Sequence, residues 1–293
     1  MFQTKGEKIF RLFNYIWLTF VTIMCLFPVL HIVALSLSSS NAAAAGWVTL
    51  FPKEITLKAY KYALGNKLFA SSFLISTKRV LLGVSINMIL TVITAYPLSR
   101  PLKEFKSRTF YAWYIFIPMI FSGGLIPIYL VVVKAGLIDT IWALILPTAI
   151  PIFNVIVMLN FFKRIPKEIS ESAFMDGAGH IQVLIRIFLP LSLPSLATLT
   201  VYAAVFHWNS WFDGIIYMNR IENYPLQSYL RTLVIVKDFS TMSNRSEFEK
   251  IAEISDRTLQ ASQIFIGALP ILAIYPFLQR YFIKGLVVGS VKG

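Results

Sequence analysis

Apolar residues run along this chain in six long intervals that contain no Asp, Glu, Lys or Arg: 12–52, 80–99, 109–133, 140–162, 187–212 and 258–279. They take up more than half of the 293 residues. A helix that crosses a bilayer needs about 20 predominantly apolar residues. The pattern therefore predicts six membrane-spanning helices, the first retained near Tyr15–Ser36. An even number of spans puts both termini on one side. That side would hold 1–11, 100–108, 163–186 and 280–293, with 14 Lys and Arg in 58 residues, against 13 in 78 on the other side. The positive-inside rule then favours cytoplasmic termini.

Proline is frequent in or beside these intervals, at Pro28, Pro97, Pro118, Pro127, Pro147, Pro151, Pro190, Pro194, Pro270 and Pro276. Each removes a backbone donor, which a membrane helix tolerates only where neighbours or water satisfy the freed carbonyl. Gly123, Gly124 and Pro127 predict that the third span ends early and that 125–139 turns at the outer surface. A single kinked helix is the alternative. Segment 47–68 is amphipathic and aromatic, as expected of a piece lying at the outer interface. Segment 213–257 is the longest polar loop and is large enough for a docking surface.

The loop 163–186, KRIPKEISESAFMDGAGHIQVLIR, reads as two short helices. Pro166 suits the first helical position, and Glu168 and Glu171 suit the positive N-terminal end. Ile165, Ile169 and Ala173 form one apolar edge. Gly177 stops this helix. Ile181, Leu184, Ile185 and Phe188 follow at helical spacing. Such a hairpin fits a groove on another protein, or rests on lipid headgroups.

Composition narrows the chemistry. Apolar residues make up 57% and charged residues 14%, against about 25% charged in soluble domains. A soluble enzyme and a disordered chain are both excluded. Cys25 stands alone, and His31, His180 and His207 lie far apart, so no disulfide or metal site is expected. No GxxxxGK[ST] phosphate loop, GxSxG elbow or HExxH appears. The net charge of +13 is ascribed to anionic lipid and cytoplasmic loops, with no nucleic-acid partner.

The stretch ESAFMDGAGHIQVLIRIFLPLSLPSLA (171–197) resembles the EAA signature of ABC-importer permeases, with Ser172 in place of the first alanine. AYPLSR (95–100), HWNSWFDGIIYM (207–218) and YPFLQRYFIKGLVVGSVKG (275–293) resemble the carbohydrate branch typified by the second maltose permease. FSGGLIPIYLVVVKAGLIDT (121–140) and NYPLQSYLR (223–231) are similar to a subgroup that imports alginate and pectin-derived oligosaccharides. The resemblance covers about residues 10–293.

It implies an all-α integral membrane protein of six transmembrane helices, with the type I ABC importer permease fold: a five-helix core preceded by one N-terminal helix. The chain then divides into 1–68, a transmembrane domain 69–282 containing the coupling loop 163–186, and a tail 283–293. It would be multi-pass in the bacterial inner membrane. Its implied partners are a homologous second permease, two ATPase subunits, an extracytoplasmic solute-binding protein and membrane lipid. The chain would carry no cofactor and no ATPase site; ATP and Mg belong to the partner ATPases. Glu171, Ser172, Ala173, Asp176, Gly177 and Ala178 are the implied ATPase-coupling residues, with Glu171 facing an ATPase arginine. Lys284, Gly289 and Lys292 mark a tail entering between the ATPases.

For the substrate path the residues offer Trp208, Asn209, Trp211 and Asp213, which combine stacking faces with polar groups. Lys78 and Arg79 join them at the outer end of the second span. Across 53–79, Lys53, Lys58, Lys61, Lys67, Lys78 and Arg79 face a single acid, Glu54. Cations there would offset the desolvation of uronate carboxylates, so an acidic, alginate-derived oligosaccharide is expected first and a pectin-derived or neutral one second. An ion-coupled secondary transporter would need ionisable residues in its spans, and the six intervals hold no Asp or Glu. An intramembrane enzyme would need a nucleophile–base pair or a metal site there, and His31 and His207 have no evident acidic or serine partner motif.

Overall fold

The computed structural model describes residues 5–235 and 257–273. Among the described residues the chain is helical and has no strand. In order, the helices are α1 (Lys5–Ser36), α2 (Ser40–Ala44), α3 (Lys58–Gly65), α4 (Lys67–Ser99), α5 (Arg108–Ile120) and α6 (Leu125–Lys134). Two short 3₁₀ turns, Ile141–Leu144 and Leu146–Thr148, lead into α7 (Ile152–Arg164). Then come α8 (Lys167–Met175), α9 (His180–Val183), a π turn (Leu184–Phe188), α10 (Leu189–Leu191), α11 (Leu193–Asn209), α12 (Phe212–Tyr217) and α13 (Leu226–Ile235). A last helix, α14, covers 257–273.

Helices α1 and α4 are each long and apolar enough to cross a bilayer. Three more spans exist only as bent pairs: α5 with α6 at 117°, the 3₁₀ turns with α7 at 48°, and His180–Leu191 with α11 at 81°. Length and composition thus support up to five spans among the described residues. The sixth expected interval, 258–279, runs past them. The third interval breaks at 121–124, with Gly124 at φ +81°, so the early ending holds and the single kinked helix does not.

The described residues group into two units. One holds those up to 70 and those from 230 to 269; the other holds 71–229 and 270–273.

In the N-terminal unit, α1 leaves large apolar side chains such as Phe10, Trp17, Met24 and Phe27 exposed. A helix apolar on all sides belongs in an apolar surrounding. Its end is closed by polar contacts. Ser38 Oγ donates to the Ala34 carbonyl at 2.6 Å and accepts from the Lys53 N–H at 3.0 Å. His31 Nδ1 lies 2.7 Å from the Thr49 carbonyl. Ala34, Ala42 and Val48 make a small core there. Segment 47–68 is helical over α3, which buries Ala59 and Ala63, and over the first two residues of α4.

In the second unit the core gathers Val92, Ala95, Tyr96 and Leu98 of α4 with Val155, Met158 and Phe162 of α7, Leu199 of α11, and Val183 and Phe188. Lipid tails are as apolar as these side chains, so packing and polar contacts must hold the helices together. Helix α4 supplies the polar part. Ser72, Ser76, Arg79, Asn87 and Thr91 recur at three- and four-residue steps on one buried face, with Gly83 between them. Ser76 Oγ accepts from the Leu226 N–H at 2.7 Å. Asn87 Nδ2 donates to the carbonyls of Thr148 and Ala149 at 3.0 and 2.9 Å.

Candidate functional site

The loop 163–186 folds as the helix–glycine–helix that its pattern predicts. Pro166 sits one position earlier than expected, as the N-cap of α8, and its ψ of 134° lies outside the helix. The end of α8 is a Schellman turn. The Gly177 N–H donates to the Phe174 carbonyl at 3.0 Å, and the Ala178 N–H to the Ala173 carbonyl at 2.9 Å. Gly177 takes φ +82°, a conformation that costs a side-chain-bearing residue about 1–2 kcal/mol. The Gly179 N–H donates to Gln182 Oε1 at 3.0 Å and starts α9.

This geometry divides the expected coupling residues in two. Glu171, Ser172, Asp176 and Gly177 are exposed. Ala173 and Ala178 instead turn inward and pack against the core, as does Phe174, with Ser170 buried beside them. Both alanines are half-buried, and their small size lets the turn close against the unit. The expected edge Ile165–Ile169–Ala173 shifts likewise, since Ile169 is exposed and Ser170 and Phe174 face inward. Met175, 89% exposed, and Ile181, 74% exposed, were missed as surface residues. The signal was present in Met175, which lies off the helical apolar edge.

The second helix departs further from its pattern. A π turn over 184–188 inserts one residue, so Val183 and Phe188 face the same core at a spacing of five. Ile181 and Ile185 turn out into a groove of about 860 Å³, lined on its other side by Met88, Ile89 and Ile93 of α4.

Around the middle of α4 lies a buried ion pair. Arg79 is fully buried. Its Nη1 donates to Asp213 Oδ1 at 3.1 Å and to the Ser210 carbonyl at 3.4 Å, and its Nη2 donates to Asp213 Oδ2. Asp213 also accepts from the Gly214 N–H at 2.9 Å. One helical turn further along α4, the His207 ring rests on Gly83. A Cβ at position 83 would come within 2.5 Å of His207 Nε2. That nitrogen lies 2.9 Å from Asn87 Oδ1.

Of the expected substrate-path residues, the structure brings Arg79 and Asp213 together. Arg79, counted among the entrance cations in the sequence, is buried and ion-paired to Asp213. Lys78, the next residue, is exposed on another face of α4. Trp208 is buried edge-on against Phe73, with ring centroids 5.5 Å apart. Asn209 and Trp211 are exposed. The tail residues Lys284, Gly289 and Lys292 lie outside the described residues.

Among the described residues no His, Cys, Asp and Glu cluster could hold a metal. A third polar junction joins two loops. Asp139, at φ +60°, accepts from Asn223 Nδ2 at 3.0 Å and from the Asn219 N–H at 3.2 Å, with Arg220 Nε at 3.8 Å. The Asn223 hydrogen bond is the main reason its carboxyl titrates below the usual range, joined by backbone N–H donors and the Arg220 charge and opposed by partial burial.

No protein-family model matches the chain. Protein LplC of Bacillus subtilis (strain 168) is 40% identical over 293 residues, covering all of this chain and 98% of the relative. The polygalacturonan/rhamnogalacturonan transport system permease protein YtcP of the same organism is 36% identical, covering 98% of this chain and 99% of the relative. Among solved structures, a bacterial ABC transporter involved in the import of the acidic polysaccharide alginate has a chain that superposes with a TM-score of 0.88 at 31% identity. The match covers 96% of this chain and 99% of that one.

Proposed function

The chain belongs to the family of permease subunits of ABC sugar transporters, and from that premise we propose that it forms one half of the translocation pathway of a bacterial importer for acidic oligosaccharides. It is a multi-pass membrane protein whose relatives are transport subunits, not enzymes. The other half is a homologous permease, and the driving force comes from two ATPase subunits that use ATP and Mg. A solute-binding protein delivers the saccharide from outside. Both termini face the cytoplasm.

The observation that carries the mechanical reading is the Schellman hairpin at 167–183. It holds Glu171, Ser172, Met175, Asp176 and Ile181 outward on a turn whose inner side is packed against the unit. An apolar knob flanked by carboxylates suits a cleft on a partner, with Glu171 placed to meet an arginine. Closure of the ATPases would move this knob. The packed unit would follow as a rigid body and alternate the access of the pathway. The tail residues Lys284, Gly289 and Lys292 reach between the ATPases.

Alginate-derived oligosaccharide is the first choice of substrate, supported by the fold and sequence likeness to the alginate transporter. A pectin-derived one is the second, supported by the likeness to the polygalacturonan/rhamnogalacturonan permease. Both are uronates, which need cations to offset carboxylate desolvation. With Arg79 held by Asp213, Lys78 supplies that charge at the entrance, and the exposed Asn209 and Trp211 supply polar and stacking contacts.

The test is reconstitution in liposomes with the genetically neighbouring permease, ATPases and binding protein. Alginate, polygalacturonate and neutral oligosaccharides are then compared for stimulated hydrolysis. Stimulation by neutral sugars alone would refute the substrate. Failure to copurify with an ATPase would refute the coupling role. In a Cys25→Ala background, cysteines at the exposed Ser107 and Ser172 should resist an impermeant thiol reagent applied from outside, and one at Asn219 should react. Labelling at Ser172 would reverse the orientation.

A further inference from the structure

One arginine ties the coupling hairpin to the long helix α4. Arg100 follows Ser99 at the end of that helix and is buried. Its guanidinium carbon lies 4.4 Å from the centroid of Tyr96 in α4 and 4.5 Å from that of Phe188 in the π turn. Phe174 of α8 stands 6.0 Å away. Nη1 donates to Ser170 Oγ of α8 at 3.3 Å, and Glu104 is 3.9 Å from the same nitrogen. Nε and Nη2 are buried without a hydrogen-bond partner among the described residues. Their environment is the faces of the two rings.

A planar cation can stack on an aromatic ring at each face, and a lysine ammonium cannot. Arg100 thus touches α4, α8 and the π turn together. The rings around it form a continuous set, with Tyr96–Phe188 centroids at 5.2 Å, Phe162–Phe188 at 5.3 Å and Phe174–His180 at 4.9 Å. From Arg100 back to Arg79 the helix spans about 30 Å. At that second point Asp213 grips it.

We propose that Arg100 is the positioning residue through which displacement of the hairpin is passed into α4. This rests on the reading of 163–186 as the coupling loop. When α8 moves, Ser170 and Phe174 carry the guanidinium with them; when the π turn moves, Phe188 does. The clamp on Tyr96 then obliges the end of α4 to follow. Without the clamp, the hairpin can move in its cleft while α4 stays behind.

The experiment uses the assembled transporter in liposomes, with its binding protein and whichever of the alginate or polygalacturonate oligosaccharides stimulates hydrolysis. Saccharide imported per ATP hydrolysed is measured for wild type, Arg100→Lys and Arg100→Met. The expected result is a fall in that ratio of about tenfold for Arg100→Lys and more for Arg100→Met, in particles that copurify with the ATPases. A merely structural role would lower yield, hydrolysis and import together and leave the ratio unchanged, which overturns the proposal. If neither variant assembles, Phe188→Leu removes one stacking face at similar volume and reads the same ratio, with the same two outcomes. Glu171→Ala and Gly177→Val run alongside. If these alter import and the Arg100 variants keep the wild-type ratio, this proposal alone fails. If Glu171→Ala and Gly177→Val change nothing, the coupling-loop reading fails.

Discussion

Replacing Asp213 by alanine should destabilise the second unit more than replacing its partner Arg79 by methionine. Arg79 has no exposed side-chain surface, whereas 24% of the Asp213 side chain is exposed. In Asp213→Ala the guanidinium keeps only the Ser210 carbonyl at 3.4 Å, and its Nε remains without a partner among the described residues. A stranded buried charge costs about 3–5 kcal/mol. In Arg79→Met the carboxylate still accepts from the Gly214 N–H and reaches water, so the loss is nearer about 1–3 kcal/mol. The double variant Arg79→Met/Asp213→Leu strands nothing and should approach wild type. Thermal unfolding of the nanodisc-embedded transporter, followed by fluorescence-detected size exclusion, reads these differences. At roughly 2–4 °C per kcal/mol, Asp213→Ala should melt on the order of 10 °C lower. If Arg79→Met melts as low as Asp213→Ala, or the double variant loses the sum of the two, the cost comes from packing and the electrostatic account is wrong.

Gly177→Val should abolish import with normal membrane insertion, while Gly177→Asn, which tolerates positive φ, should retain much of it; equal transport by both would remove the backbone argument. Gly83→Ala drives a methyl into the His207 ring and should cost about 1–3 kcal/mol; Gly83→Ala/His207→Ala should recover part of the melting temperature, and no recovery would place the clash elsewhere. Because the Asp139 carboxyl titrates below its ordinary value in the fold, its contribution is present near neutral pH and fades as pH falls below about 4. Between pH 5 and pH 3.5 the wild type should therefore lose more thermal stability than Asp139→Asn, by up to about 1 kcal/mol for a partly exposed group; identical slopes would discount the junction.

What the chain reveals before it folds is what depends on neighbours in sequence. The break at Gly123–Gly124 and the hairpin around Gly177 are both local, and each is where the pattern puts it. The Arg79–Asp213 pair joins positions 134 residues apart. A charge tally along 53–79 therefore counts Arg79 as free when it is already neutralised. Ala173 and Ala178 look like contact residues because they belong to a signature. Ala173 also lies on the apolar edge of the pattern, whereas the inward packing of Ala178 depends on the turn that the Schellman bonds close. The grouping of the described residues 257–269 with the N-terminal unit is likewise a long-range fact with no local mark.

The π turn at 184–188 has a consequence for what this segment can tolerate. An extra residue wound into a helix sets its phase: everything after Phe188 is rotated by about 100° relative to an uninterrupted α-helix. Deleting a single residue there, such as Ile185, would let the turn relax to regular α-helix and bring Val183 and Phe188 to a spacing of four, which still puts both on the core face and keeps α11 in phase with the hairpin. Substituting the same residue by another aliphatic would keep the winding. The segment should thus absorb the loss of one residue better than an unbroken α-helix would, where the same deletion turns everything beyond it by about 100°.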